Sequence, residues 1–146
     1  DVYNALIENS VIDIEHFTES DATALEQQVY LATFNTIRHI ADQGPCVIIG
    51  RCADYILREH ENCLNVFVHA DKAARIKRIV GLGHCEEKKA PDFVTKKDKQ
   101  RANYYNFYSN NRWDDLLNYD LTIDTSRFSV DMAVDLIIDA AKKLDV

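Results

Sequence analysis

The stretch LNVFVHADKAARIKRIV, residues 64–80, decides the fold. Its first part, Leu64 to Val68, is a continuous apolar run rich in β-branched residues, the pattern of a strand buried on both faces of a parallel sheet. Ala70 and Asp71 break the run, and from Lys72 to about Val80 the pattern becomes helical. The Asp71 carboxylate is placed to cap that helix, which sets Arg75 and Arg78 three residues apart on one face, both able to reach one anion. A strand that passes straight into a helix is half of a parallel-sheet repeat.

Upstream, the same unit recurs. Cys46 to Ile49 is a short apolar run that predicts another buried strand; Gly50 and Arg51 follow, then a helical pattern through Ala53, Ile56 and Leu57. Arg51 therefore sits where a strand turns into a helix, the end of an open α/β sheet at which ligands bind. Before it, apolar residues at Leu25, Val29, Ala32, Thr33, Ile37, Ile40 and Ala41 predict a helix over residues 22–41, capped by Ser20 or Asp21 and ended by Gly44 and Pro45.

Downstream, Gly81 to Asp92 holds two glycines, a proline and little periodicity, and predicts a mobile connection. Phe93 to about Trp113 reads as a long helix carrying Lys97, Asp98, Arg101, Tyr104, Tyr105 and Tyr108, with the tyrosines taken as core. Tyr119 to Asp124 predicts a third strand. Ser126 or Ser129 then starts a helix whose apolar face is Val130, Ala133, Val134, Ile137, Ile138, Ala141 and Leu144. The expectation is an α/β fold: one domain over residues 1–146, its parallel sheet covered by helices on both faces. Three strands are few for this class, and the sequence opens on helical residues, Val2 to Ile7, so a further N-terminal strand outside it is expected.

Charge narrows the function. The net charge of −7 argues against general nucleic-acid binding. From Lys72 to Arg101, however, ten basic residues face four acids, a balance of +6, which leaves 7 basic and 20 acidic residues elsewhere. Cations gathered in one fifth of the chain suit either an anionic ligand or a solvated helix pair. No run reaches the roughly 18 to 20 apolar residues of a membrane span, and Asp1 to Asp13 lacks the pattern of a signal peptide, so a soluble, cytoplasmic protein with no membrane partner is expected. Cys46, Cys52, Cys63 and Cys85 form no Cys-x-x-Cys pair, and His84 beside Cys85 has no second ligand pair in sequence, so reduced thiols and no structural metal are expected.

Four short motifs stand in order: Val47-Ile-Ile-Gly-Arg51; Asn65 to Asp71 with Arg75 and Arg78; Asp98-x-x-Arg101; and Asp120-x-x-Ile-Asp-Thr125. Together they resemble cytidylate kinases, from about Val29 to the C-terminus. Tyr104-Tyr105, Trp113-Asp114 and Asn118-Tyr-Asp-Leu121 are closer to the cytidylate-kinase-like branch. The resemblance implies a phosphate-loop-kinase-like fold with a short helical lid at about 81–97, and transfer of the ATP γ-phosphoryl group, with Mg²⁺, to a cytidylate-like nucleoside monophosphate. It implies that Arg51, Asp98 and Arg101 bind the acceptor, that Arg75, Arg78 and Arg101 neutralise the transferring group, and that Asp124, Thr125 and Ser126 lie near the donor's base. A plainer reading stays open: Arg75 and Arg78 as helix-surface residues, Asp98 with Arg101 as a helical ion pair.

The sequence departs from that family's pattern in three places. It has no Gly-x-x-x-x-Gly-Lys-Ser/Thr phosphate loop, and Gly81-Leu-Gly83 follows a helix rather than a strand. The expected domain is thus N-terminally incomplete, with its phosphate loop outside this sequence, and inactive as it stands. Cys52 replaces the aspartate that follows Gly-Arg; Asp54, one turn on, is the candidate to compensate. Val94 replaces an arginine, leaving Lys96 or Lys97 to supply its charge without the planar fork. The alternative function is a non-catalytic module that binds a nucleotide or a partner through the same fold.

Overall fold

The computed structural model describes residues 19–144. The helical reading of Val2 to Ile7 lies outside them. The chain divides into two compact units, one ending at Cys46 and one running from Val47. In the first, helix α1 spans Glu19–Asp42. It begins earlier than its expected caps, so Ser20 and Asp21 lie within its first turn. Thr33 and Thr36 return their hydroxyls to the carbonyls of Val29 and Ala32, each at 2.8 Å, which accommodates two β-branched residues in a helix interior.

The second unit holds the α/β part. Its elements are a one-turn helix α2 (Ala53–Ile56), strand β1 (Val66–His69), helix α3 (Lys72–Gly81), a 3₁₀ turn (Glu87–Lys89), helix α4 (Ala90–Ser109), a second 3₁₀ turn (Leu116–Asn118), strand β2 (Leu121–Asp124) and helix α5 (Val130–Leu144). The two strands are parallel, with Val66 opposite Leu121 and His69 opposite Asp124. Asp71 caps α3 as expected, accepting from the Ala74 N–H at 2.7 Å, and Ser129 caps α5 through the Met132 N–H at 3.2 Å.

Three expectations are corrected. Cys46 to Ile49 forms no strand, and Val47 and Ile49 are 93% and 89% exposed. An apolar β-branched run becomes a buried strand only where a neighbouring ladder exists to receive it; among the described residues β1 pairs with β2 alone. For the same reason β1 is not buried on both faces, and Val68 is half exposed. Finally, the long helix starts at Ala90 rather than Phe93 and ends at Ser109, short of Trp113. Pro91 fits its first turn, where a missing N–H costs nothing, and Asn110 stops it in the left-handed conformation. The segment expected as a lid, about 81–97, is thus a turn, the first 3₁₀ turn and the opening turns of α4.

In the second unit the buried side chains are Cys52, Ala53, Ile56 and Leu57, Ile123 of β2, Ala90, Val94, Tyr105 and Ser109 of α4, and Ala133 of α5. Helices α3 and α4 pack together. Two polar contacts in one register join them: Lys72 to the Thr95 hydroxyl at 2.9 Å, and Arg75 to Asp98.

Candidate functional site

The two strands end together, and the loops leaving them are bonded to each other. Thr125 donates its backbone N–H and its hydroxyl to the His69 carbonyl, at 2.8 and 3.0 Å. Asp71 donates its N–H to the Ser126 hydroxyl oxygen at 2.6 Å, and Ser126 gives its own N–H to Asp124 at 2.9 Å. Donation from the Ser126 hydroxyl and N–H holds the Asp124 carboxyl below the usual carboxylate range. The result is a fixed start for α3, and hence a fixed direction for Arg75 one turn later.

Above these strand ends lies a cleft of about 230 Å³, lined by Phe67, His69, Arg75, Arg101, Trp113 and Thr125 among others. Its position at the carboxyl ends of parallel strands is where ligands bind in open α/β sheets. Arg75 comes from α3 and Arg101 from α4. Asp98 stands between them, 2.5 Å from the Arg75 guanidinium and 3.5 Å from that of Arg101. Two cations and one carboxylate leave a balance of +1 at a site whose other walls are aromatic or neutral, which favours an anion.

Aromatic residues form the opposite wall. Phe67 stacks on Tyr119 with ring centres 4.8 Å apart and meets Trp113 edge-on at 5.5 Å. The Arg101 guanidinium lies 5.8 Å from the Trp113 ring centre. The loop carrying Trp113 is pinned at both its peptide groups: the Trp113 N–H donates to Asn106 at 2.9 Å, and its carbonyl accepts from the Tyr119 hydroxyl at 2.9 Å.

Arg51 is held elsewhere on α4. Gly50, Arg51 and Cys52 take φ values of 68°, 58° and 57°, three successive left-handed residues before α2. Only glycine adopts that region without steric cost, so Arg51 and Cys52 carry roughly 1–2 kcal/mol of strain each. The turn aims Arg51 at Tyr104, its guanidinium 5.9 Å from the ring centre. Cys52 is buried, and burial, followed by the Asp54 carboxylate, pushes its thiol up to about 11. Asp54 accepts from the Tyr105 hydroxyl at 2.5 Å; it is a tie between α2 and α4.

Of the expected site residues, the cleft brings together Arg75, Arg101 and Thr125, with Asp98 between the arginines. Arg78 is exposed and does not line it. Arg51 lies against Tyr104, three residues beyond Arg101 on the same helix. Sequence reasoning missed Trp113 and His69. The signal for Trp113 was present: the sole tryptophan, set among Asn110, Asn111, Arg112, Asp114 and Asp115, is a large aromatic residue in a polar loop.

A profile of the cytidylate kinase-like family matches residues 3–127. The chain belongs to the cytidylate kinase-like family. The family's shape recurs in a solved structure, described as the crystal structure of an uncharacterized protein from Eubacterium ventriosum ATCC 27560, which is 35% identical with a TM-score of 0.75. That match covers 84% of this chain and 77% of the other. No curated protein matches. No described helix is long and apolar enough to cross a membrane.

Proposed function

We propose that this cleft binds the phosphate of a nucleoside monophosphate, cytidylate-like in class, and that the protein acts as a nucleotide kinase on it, with ATP as phosphoryl donor. The observation that carries the reading is the convergence of Arg75 and Arg101, from two different helices, on one cleft at the ends of two parallel strands. A phosphate monoester brings between one and two negative charges, and guanidinium groups grip its oxygens in pairs. Phosphoryl transfer asks little covalent chemistry of the protein; positioning and charge neutralisation do most of the work. Arg75 and Arg101 supply both on the acceptor side, while Arg51 lies against Tyr104 of the same helix.

The donor is a different matter. The described residues do not fit ATP phosphates with Mg²⁺. Gly50 opens a left-handed turn into a one-turn helix, Gly81 and Gly83 flank a turn behind α3, and no three His, Cys, Asp or Glu side chains converge among the described residues. Asp124 and Ser126 are engaged with each other and with Asp71, while Thr125 faces the acceptor cleft. The part this reading gives to the described residues is therefore acceptor binding.

Calorimetric titration of the protein with cytidine monophosphate tests the reading. Binding that weakens about tenfold or more in R101A, and likewise in R75A, supports it. No binding of the nucleotide, or binding indifferent to both substitutions, overturns it. Nucleotide-dependent ADP formation in the presence of magnesium–ATP then separates a kinase from a binding module of the same fold, which would bind without turnover.

A further inference from the structure

Three features of the second unit outside the phosphate contacts have no assigned use: the left-handed turn at Arg51 and Cys52, the exposed apolar segment 47–49, and the aromatic wall of the cleft. The last is the one with a ligand-shaped counterpart. We infer that Trp113 is the surface on which the ring of the bound nucleotide stacks, so that the cleft recognises a planar ring joined to a phosphate rather than a phosphate alone.

This rests on the proposed nucleotide reading and goes beyond it. Trp113 is half-buried, lines the same cleft as Arg75 and Arg101, and has both its peptide groups bonded, so the indole is presented from a rigid loop. A stacking platform needs that rigidity, because a ring already ordered loses little freedom when a ligand lies on it. Phe67 packs against the indole near-perpendicularly, an arrangement aromatic pairs prefer, and this helps to hold the ring in place. Arg101 joins the two halves of the site: its guanidinium lies near the indole and beside Asp98, so one side chain links the anion-binding wall to the aromatic wall.

The other aromatic candidates are already engaged. Tyr105 is buried and donates to Asp54. Tyr104 and Tyr108 lie against each other with ring centres 4.8 Å apart, and Tyr104 also carries Arg51. Of the aromatic side chains that line the cleft with the two arginines, Phe67 is stacked on Tyr119 and on His69, whereas Trp113 lies beside Arg101. Stacking tolerates any base, since every base has a π face, so the inference concerns ring against no ring and makes no choice among bases.

The test uses three ligands on the whole protein: inorganic phosphate, ribose 5-phosphate and cytidine monophosphate. Trp113 is the single tryptophan of the chain, so its fluorescence reports the site directly. The nucleotide should bind roughly tenfold to a hundredfold more tightly than ribose 5-phosphate and should alone change the emission strongly. W113L should bring the nucleotide down to the affinity of ribose 5-phosphate while leaving that of ribose 5-phosphate unchanged; W113F, which keeps a ring and the packing on Phe67, should restore part of the difference. Equal affinities for nucleotide and ribose 5-phosphate in the native protein overturn the inference and leave the phosphate site standing. So does an equal loss for both ligands in W113L and W113F, which makes the indole a structural support. If none of the three ligands binds, the nucleotide reading falls and this inference with it.

Discussion

Asp98 accepts from the Arg75 guanidinium at 2.5 Å and stands 3.5 Å from that of Arg101, so one carboxylate holds two arginines carried by two helices. The side chains of Arg75 and Asp98 are both about 30% exposed, which places the pair between a screened surface contact and a buried one. Its role is to aim the cations while lowering their combined charge.

Replacing that carboxylate should therefore have two opposed effects. D98N removes the negative charge and keeps the shape. Stability should fall by about 1 kcal/mol, read from urea unfolding. Inorganic phosphate should bind more tightly at low salt, because the local balance rises from +1 to +2. If Asp98 also contacts the acceptor's sugar, as the family resemblance implies, cytidine monophosphate should weaken in the same variant while phosphate strengthens.

The tie between α2 and α4 makes a second prediction. Tyr105 is buried with its hydroxyl on Asp54, and burial, followed by that hydrogen bond, holds the phenol far above its ordinary range. Y105F opens no cavity but takes a donor from Asp54, and should cost about 1–3 kcal/mol in urea unfolding with an unchanged denaturant slope. One oxygen of the Asp54 carboxylate is engaged there, and the reading tested next is that Asp54 takes no part in choosing a base. D54N should leave the ratio of cytidine to uridine monophosphate affinities unaltered; a changed ratio would return Asp54 to the acceptor site.

These two carboxylates show what was legible in the sequence. The Asp71 cap, strands near residues 64–68 and 119–124, and the Asp98–Arg101 spacing could all be read because each depends on residues a few positions apart. Asp98's stronger partner, Arg75, lies 23 residues away and required the packing of α3 on α4. Pro91 looked like a breaker, yet it occupies a helical first turn, where breaking costs nothing. Residues 46–49 carry a strand's composition without, among the described residues, a ladder to join, a property of neighbours rather than of the segment. Trp113 was visible as a family marker, but its place beside two arginines depends on bonds from Asn106 and Tyr119.

Arg75 and Arg78 should separate cleanly. The contacts Lys72 to Thr95 and Arg75 to Asp98 tie α3 to α4 in one register. Arg78 is exposed and does not line the cleft. R78A should leave phosphate affinity within about twofold and stability within about 0.5 kcal/mol. R75A should weaken phosphate about tenfold and also destabilise the protein, since Asp98 loses its closest partner. Equal losses of phosphate binding would put both arginines on the ligand.

The thiols make the last prediction, one of reactivity and of pH. Cys46 is exposed, whereas Cys52 is buried with its thiol pushed up to about 11, so at pH 8 only ~0.1% of it is thiolate in the folded protein. Alkylation followed by mass spectrometry should label Cys46 first and Cys52 only on unfolding. The same shift fixes a sign for stability. An unfolded cysteine ionises near pH 8.5, so below that both states hold the proton and the native preference for the neutral thiol is fully present; as pH rises through about 11 the unfolded state gains and stability is lost. Tyr104, Tyr105 and Tyr119 are raised as well, Tyr119 to about 12, and act in the same direction at higher pH. Urea midpoints followed from pH 8 to 11 should therefore fall in the native protein. In C52A the part of the fall below about pH 10 should disappear and the tyrosine part remain; an unchanged profile would mean that the buried thiol does not govern the alkaline limb.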